Sequence, residues 1–320
     1  MRREEKGTLF LLFVDGVGIP TRSWFRALPL FGFELGDFGG PASSPLEPLP
    51  LPYGGLVKPI DPKLGVGGIP QSATGQTSLL TGVNAQGVLG YHKSGYPNGM
   101  LKGIIDRNGL FVRARRLGIG CSFINAFRPT FFTGERRVIS VTTYNALAAG
   151  LPLHTLEDLC EERSVYQEFT NRFLHKIGYD YVPIWSPGKA GSVLAAQRGR
   201  FRLILYEHFI TDLNGHKGDA EIARQTFLDL VEFVEGLLSG LDLKRDTVLL
   251  SSDHGNLEDP SRRVHTCNPV PFMAWGVDAS WFVERVESIQ DVILVMEEWF
   301  ILRCGCGKGG LGRWTEGGLR

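Results

Sequence analysis

The chain has 320 residues, of which 43% are apolar, 21% charged and 11% aromatic, and its 34 basic side chains are matched by 34 acidic ones. This composition is that of a globular protein long enough to bury its own core, and it excludes a disordered or fibrous chain. Zero formal charge also excludes a whole-molecule field that would gather nucleic acid or an anionic membrane, so any anionic ligand has to be gripped locally.

The head, MRREEKG, is mixed in charge without the pattern of a cleavable signal, and the apolar run at 9–14 is far too short to span a bilayer. A cytoplasmic address with no membrane or nucleic-acid partner is the expectation. Cysteines stand at 121, 160, 267, 304 and 306, an odd number that suits reduced thiols better than a disulfide framework. The Cys304-Gly-Cys306 pair lacks the second pair that a zinc knuckle needs.

TLFLLFV, at 8–14, reads as a strand buried on both faces, and it ends on Asp15-Gly16. Residues 20–70 hold ten of the 18 prolines without a sustained period, which predicts a long ordered loop over the sheet edge. Pro70-Gln71-Ser72 opens a helix to about Leu80, closed where Gly82 can take the left-handed cap. A helix over 106–125 with Leu110, Ala114 and Leu117 on one face runs into the strand GCSFINA. Strand 201–207, helix 221–238, strand 246–252 and strand 270–276 continue the alternation.

Alternating strands and helices predict an α/β fold, a three-layer α/β/α sandwich on a mostly parallel sheet. The core is expected over 1–126 and 190–303, with a small inserted cap over 127–189, where the pattern breaks into short segments with arginines and aromatics. The glycine-rich end, 304–320, reads as a disordered tail. Its GKGG lacks the strand and the spacing of a phosphate loop.

Acidic and histidine residues fall after three predicted core strands, where open α/β sheets place their ligand crevice. Asp15 follows the first; Asp212 and His216 follow the strand ending at Glu207; Asp253 and His254 follow TVLLSS; His265 precedes VPFMAWG. Singly, each is an ordinary turn former, cap or structural histidine. Bunched on one sheet edge, the carboxylates repel unless cations neutralise them, and an Asp/His set without thiolate suits zinc or manganese. Ser72, at a helix start beside unpaired N–H groups and the positive dipole end, is the nucleophile candidate, though spacing alone does not separate it from Thr74 or Thr77.

The ordered set DGVG, SATGQTSLLTG, TDLNGH, SSDHGNLED and VHTCNPVP, spanning residues 10 to about 276, resembles the alkaline phosphatase superfamily. The last three motifs are most similar to the metalloenzyme domain of cofactor-independent phosphoglycerate mutase and phosphopentomutase. The resemblance implies two divalent metal ions, manganese or zinc, one held by Asp15, Ser72, Asp253 and His254 and the other by Asp212, His216 and His265. Aligning the glycine of SATG with the glycine three positions beyond the mutase nucleophile selects Ser72 as the phosphorylated residue. It further implies phosphoryl transfer on a small phosphorylated substrate through phosphoserine, ending in a phosphatase or a phosphopentomutase-like phosphomutase. Phosphodiester or sulfoester hydrolysis within the same superfamily, or metal binding without turnover, are the alternatives. Two departures argue against phosphoglycerate mutase itself: the interval after Ser72 has room for only a small cap, and Gln76 stands where those mutases carry histidine. Arg128, Arg136 and Arg137, in or beside the cap, are candidates to grip a distal anionic group.

Overall fold

The computed structural model describes residues 7–22, 25–28, 30–39, 46–134 and 139–304. Its centre is a seven-stranded sheet in the order β2-β3-β9-β8-β1-β7-β4. The strands are β1 (Leu9–Val14), β2 (Leu49–Leu51), β3 (Gly55–Ile60), β4 (Cys121–Phe123), β7 (Leu203–His208), β8 (Thr247–Ser251) and β9 (Val270–Gly276). Two further short strands, β5 (Ala126–Phe127) and β6 (His154–Thr155), pair with each other outside it.

The sheet is mixed. β1 runs parallel to β7 and β8, and β4 parallel to β7, whereas β9 runs antiparallel to β8, β3 to β9 and β2 to β3. Five strands therefore share one direction and only β9 and β2 oppose it. The reversal of β9 is decisive for the site, because it brings the start of β9, and the loop before it, to the carboxyl ends of β8, β1 and β7.

Alternation along each strand explains the three layers. On β1, Phe10, Leu12 and Val14 enter one apolar cluster while Leu9, Leu11 and Phe13 enter the other, and β7 divides in the same way. Helices Pro187–Ala195 and Ala220–Ser239 cover the first face; helices Leu110–Arg116, Ala279–Arg285 and Asp291–Cys304 cover the second. Each buried Leu or Phe contributes about 1.5–3 kcal/mol, so this double burial anchors the strand ends that carry the site.

Within the proline-rich stretch the structure places β2 and β3, where the sequence suggested only a loop. β2 pairs with Gly55–Val57 alone, which leaves Pro59 on a stretch with no neighbour beyond it in the sheet, and there its missing N–H costs nothing. The helix expected over 106–125 is two helices, Gly99–Asn108 and Leu110–Arg116, parted at Gly109. Segment 127–189 shares its apolar side chains with both clusters: Leu156, Tyr166, Phe169 and Trp185 lie in the first, Val141 and Ala146 in the second. Arg136, Arg137 and residues 305–320 lie outside the described residues. Among the described residues no helix is long and apolar enough to cross a membrane.

Candidate active site

Three neighbouring parallel strands, β8, β1 and β7, deliver the carboxylates. Asp15 directly follows β1, Asp253 lies two residues beyond β8, and Asp212 sits in the short helix Ile210–Gly215 after β7. His216 caps that helix, and His265 arrives from the loop before β9. The helix Ser72–Thr81 begins with the candidate nucleophile itself; Gln71 is its N-cap, and no side chain caps it. Gly82 closes it in the left-handed region at φ 72°.

Two groups of donor atoms result. Around His254 Nε2 stand Ser72 Oγ at 3.1 Å, Asp15 Oδ1 at 3.3 Å and Asp253 Oδ2 at 3.5 Å. Beside them, His265 Nε2 is 3.2 Å from His216 Nε2, and Asp212 approaches each of these nitrogens to 3.4 Å. The stacked rings of His254 and His265, 3.7 Å between centroids, hold the groups side by side. All seven residues singled out in the sequence are thus brought to one rim. Asp212 also lies within reach of Asp15 and His254, so it borders both groups.

The histidines are oriented by backbone. His265 Nδ1 faces Pro70 O at 3.0 Å and His216 Nδ1 faces Arg263 O at 2.9 Å. A carbonyl only accepts, so each Nδ1 carries a proton, and the two Nε2 atoms face each other across 3.2 Å with the Asp212 carboxylate beside both. Once deprotonated, these two nitrogens and the carboxylate offer three donor atoms to one cation. Asp15 Oδ1 and Asp253 Oδ2, both buried, have no hydrogen-bond partner among the described residues. The ion-pair partners of Asp15, Asp212 and Asp253 are histidines. Oxygen and imidazole donors with orphaned carboxylate oxygens are the environment a divalent cation requires.

Electrostatics agree. Burial, and then repulsion from Asp253 and Asp212, pushes the Asp15 carboxyl well above its usual range. Burial likewise raises Asp253 and lowers His254. At Asp212 burial acts upward but is outweighed by hydrogen bonds from His265 and Asn256 and by the nearby His254, which hold it at about 2.

Two glycines permit this crowding. Gly16 adopts φ +68°, and a Cβ there would lie 2.7 Å from Asp212 Oδ1. A Cβ on Gly75 would lie 2.8 Å from the Asp253 carbonyl oxygen, so the helix bearing Ser72 packs against Asp253 only because that position has no side chain.

The sequence reading missed several contributors. Gln76, noted there only as a departure, donates from Nε2 to Asp15 Oδ2 at 3.0 Å. Asn256 Nδ2 donates to Asp212 Oδ1 at 2.6 Å. Glu258, 1% exposed, accepts from the backbone of Gly18 at 2.9 Å and of Asn256 at 2.7 Å, and from Asn268 Nδ2 at 2.9 Å and the Thr266 hydroxyl. It thereby ties together the loops that carry Asp15, Asp253 with His254, and His265. Only a carboxylate offers two acceptor oxygens here. Glu258→Gln would set an NH2 against two donors, and we expect a 10- to 100-fold (about 1.4–2.7 kcal/mol) loss of metal affinity in a metal titration, the usual penalty for disturbing groups that orient ligands.

Glu207, the penultimate residue of β7, was legible by the signal that found Asp15, a charge at the end of an apolar strand. It lines the cavity beside Ser72 and accepts from Thr142 Oγ1 at 2.7 Å. Burial raises its carboxyl to about 7, with the Thr142 bond opposing. A folded-state value above the unfolded one means that the native state binds the extra proton. The cost is absent below the ordinary glutamate range, grows as pH rises toward 7 and stays constant above. In metal-free protein, Glu207→Gln should therefore raise Tm relative to wild type at pH 8, by the equivalent of up to roughly 3 kcal/mol, and give no gain at pH 4. Parallel melting curves at the two pH values check this, and equal differences at both would refute it.

The site opens into a cavity of about 260 Å³ lined by Asp15, Ser72, Gln76, Glu207 and Asp212. A second cavity of about 390 Å³, which Arg128 lines, shares Tyr96, Ser140 and Phe209 with it.

Comparison with known proteins is consistent with this geometry. Residues 190–294 match the family described as the Metalloenzyme superfamily. Among curated proteins, a 2,3-bisphosphoglycerate-independent phosphoglycerate mutase of Desulforudis audaxviator is 29% identical over 120 residues, covering 36% of this chain and 24% of that protein. The corresponding mutase of Gloeothece citriformis is 31% identical over 103 residues, covering 30% of this chain and 19% of the other. The chain thus matches only about a quarter, or less, of the length of these relatives. Among solved structures, the PH0037 protein of Pyrococcus horikoshii superposes with a TM-score of 0.50 at 11% identity, over 92% of this chain and 97% of that one. A cold-active alkaline phosphatase from a psychrophilic Shewanella sp. gives a TM-score of 0.50 at 11% identity, over 91% and 99%. These two likenesses concern the fold.

Proposed function

We propose that the chain, whose residues 190–294 match the Metalloenzyme superfamily, is a two-metal phosphoryl-transfer enzyme of the alkaline phosphatase-like kind that hydrolyses phosphate monoesters through a phosphoserine at Ser72. The observation that carries this reading is the pair of donor groups at one rim with Ser72 Oγ 3.1 Å from His254 Nε2. Asp15, Ser72, Asp253 and His254 would hold one ion, and Asp212, His216 and His265 the other; manganese or zinc fits these donors. Bound there, divalent cations neutralise the carboxylates, favour the ionised serine and stabilise charge on the phosphoryl oxygens.

The chain's own part is positioning. Ser72 stands at the start of a helix whose dipole favours an anion beside it. Its oxygen attacks phosphorus, the bond to the ester oxygen breaks, and the alcohol leaves with a proton. Water then attacks phosphorus of the phosphoserine, returning the Ser72 hydroxyl and releasing phosphate. Pro70, through its carbonyl on His265, couples the approach to Ser72 to the second donor group.

A single-turnover experiment with labelled sugar phosphate tests the reading. Prompt release of inorganic phosphate is expected. Isomerised substrate without free phosphate would show instead that the retained alcohol attacks the phosphoserine, a phosphopentomutase-like outcome. Turnover only of phosphodiesters or sulfoesters would overturn the monoester assignment.

A further inference from the structure

The second cavity adjoins the one that Ser72 lines. It shares Tyr96, Ser140 and Phe209 with the cavity that holds Ser72, so the two spaces meet along those three side chains. At about 390 Å³ it is within the size range of small-molecule sites. Its lining is aromatic to an unusual degree, with Tyr96, Phe127, Phe131, Tyr166 and Phe209 around one space. Phe127 and Phe131 form a tilted pair with centroids 4.7 Å apart.

Its polar lining is equally specific. Among the described residues Arg128 is its one charged side chain; Thr130, Ser140, Thr143 and Gln167 add hydroxyl and amide groups, and no carboxylate of those residues lines it. Among the described residues Arg128 has no carboxylate partner. A wall of rings with one guanidinium disfavours a cationic alcohol, although an aromatic cage without the arginine would accept one. A small open-chain alcohol would leave the rings uncovered.

We propose that this cavity is the leaving-group subsite, and that it selects phosphate monoesters whose alcohol carries a planar ring and no positive charge, such as a nucleoside or an aryl alcohol. Phe131 and its neighbours stack on the ring, and Arg128 donates to an acceptor at its edge or to a second anionic group. The inference rests on the phosphomonoester reading for its place in the reaction, but the binding it requires is measurable without turnover.

The test uses the full chain with manganese or zinc added. Hydrolysis of adenosine 5′-monophosphate should exceed that of glycerol 3-phosphate and of phosphocholine by at least about tenfold in kcat/KM, the scale of one stacking contact. Phe131→Ala and Arg128→Ala should each shrink that ratio at least about fivefold. In parallel, equilibrium titration of the metal-loaded Ser72→Ala protein should show adenosine 5′-monophosphate binding at least about tenfold tighter than glycerol 3-phosphate, with the preference lost in the double variants carrying Phe131→Ala or Arg128→Ala. Equal binding of the two esters, or tighter binding of glycerol 3-phosphate or phosphocholine, would overturn the inference even if phosphomonoesters are hydrolysed. Ring-selective binding without any turnover would instead sustain the subsite and refute the hydrolytic reading.

Discussion

Ser72→Ala is expected to abolish the phosphoenzyme and to lower turnover at least about 10³-fold, because loss of the attacking atom leaves only positioning and electrostatic assistance. Ser72 is also drawn as a ligand, so the variant has to be examined with metal in excess. The donor set Asp212, His216 and His265 is untouched, and metal analysis should still find bound ion. Fold should be intact too: Ser72 is the first residue of its helix and only half-buried, while residues 73–81 behind it are buried and unchanged. A labelled phosphoprotein after acid quench, present in wild type and missing from the variant, is the direct readout. Phosphothreonine found in Ser72→Ala would assign the chemistry to another hydroxyl on the same helix, Thr74 or Thr77. Both are buried there, and Thr77 Oγ1 already donates to the Ala73 carbonyl at 2.6 Å, which makes them poor alternatives.

Removal of divalent metal is expected to have a comparable effect on turnover and a second effect on stability. The three carboxylates Asp15, Asp212 and Asp253 are clustered with histidines as their only ion-pair partners among the described residues, and His254 is pushed by burial toward its neutral form. The neutral dipoles of Gln76 and Asn256 compensate part of that charge. A cation that binds the folded chain and not the unfolded one stabilises it by mass action, about 2.7 kcal/mol when free metal is a hundredfold above Kd. Chelation should therefore abolish phosphate release and lower Tm by several degrees, and added manganese or zinc should restore both. A chelated sample that retains full activity and an unchanged Tm would remove the metal from the mechanism. Asp212→Ala should reproduce the loss of activity, since this residue borders both donor groups.

Much of this architecture was written in the sequence. Apolar runs on β1, β7 and β8 flanked by polar residues identify strands covered on both faces, because only such strands bury every side chain. Charges immediately after those runs mark the carboxyl edge, since a charged group cannot continue into the core. That signal reaches Asp15, Asp212, His216, Asp253 and His254, and applied to the end of β7 it reaches Glu207 as well. Ser72 is legible as the start of a helix, and the resemblance of SATG to the superfamily's pattern set it apart from its threonine neighbours.

What the sequence left open is whatever depends on partners distant along the chain. Periodicity locates β9 but not its direction, and only antiparallel pairing with β8 places His265 beside His216 and Asp212. β2 and β3 were hidden because prolines mask strand propensity, and they become possible only where the sheet leaves a proline's missing N–H without a required acceptor. Glu258 looks like any surface acid until the fold surrounds it with donors from three loops. Local propensity and hydrophobic pattern are properties of neighbours in the chain and can be read there. Register, tautomer and the meeting of donor atoms arise from contacts some 40 to 240 residues apart, which only the folded structure supplies.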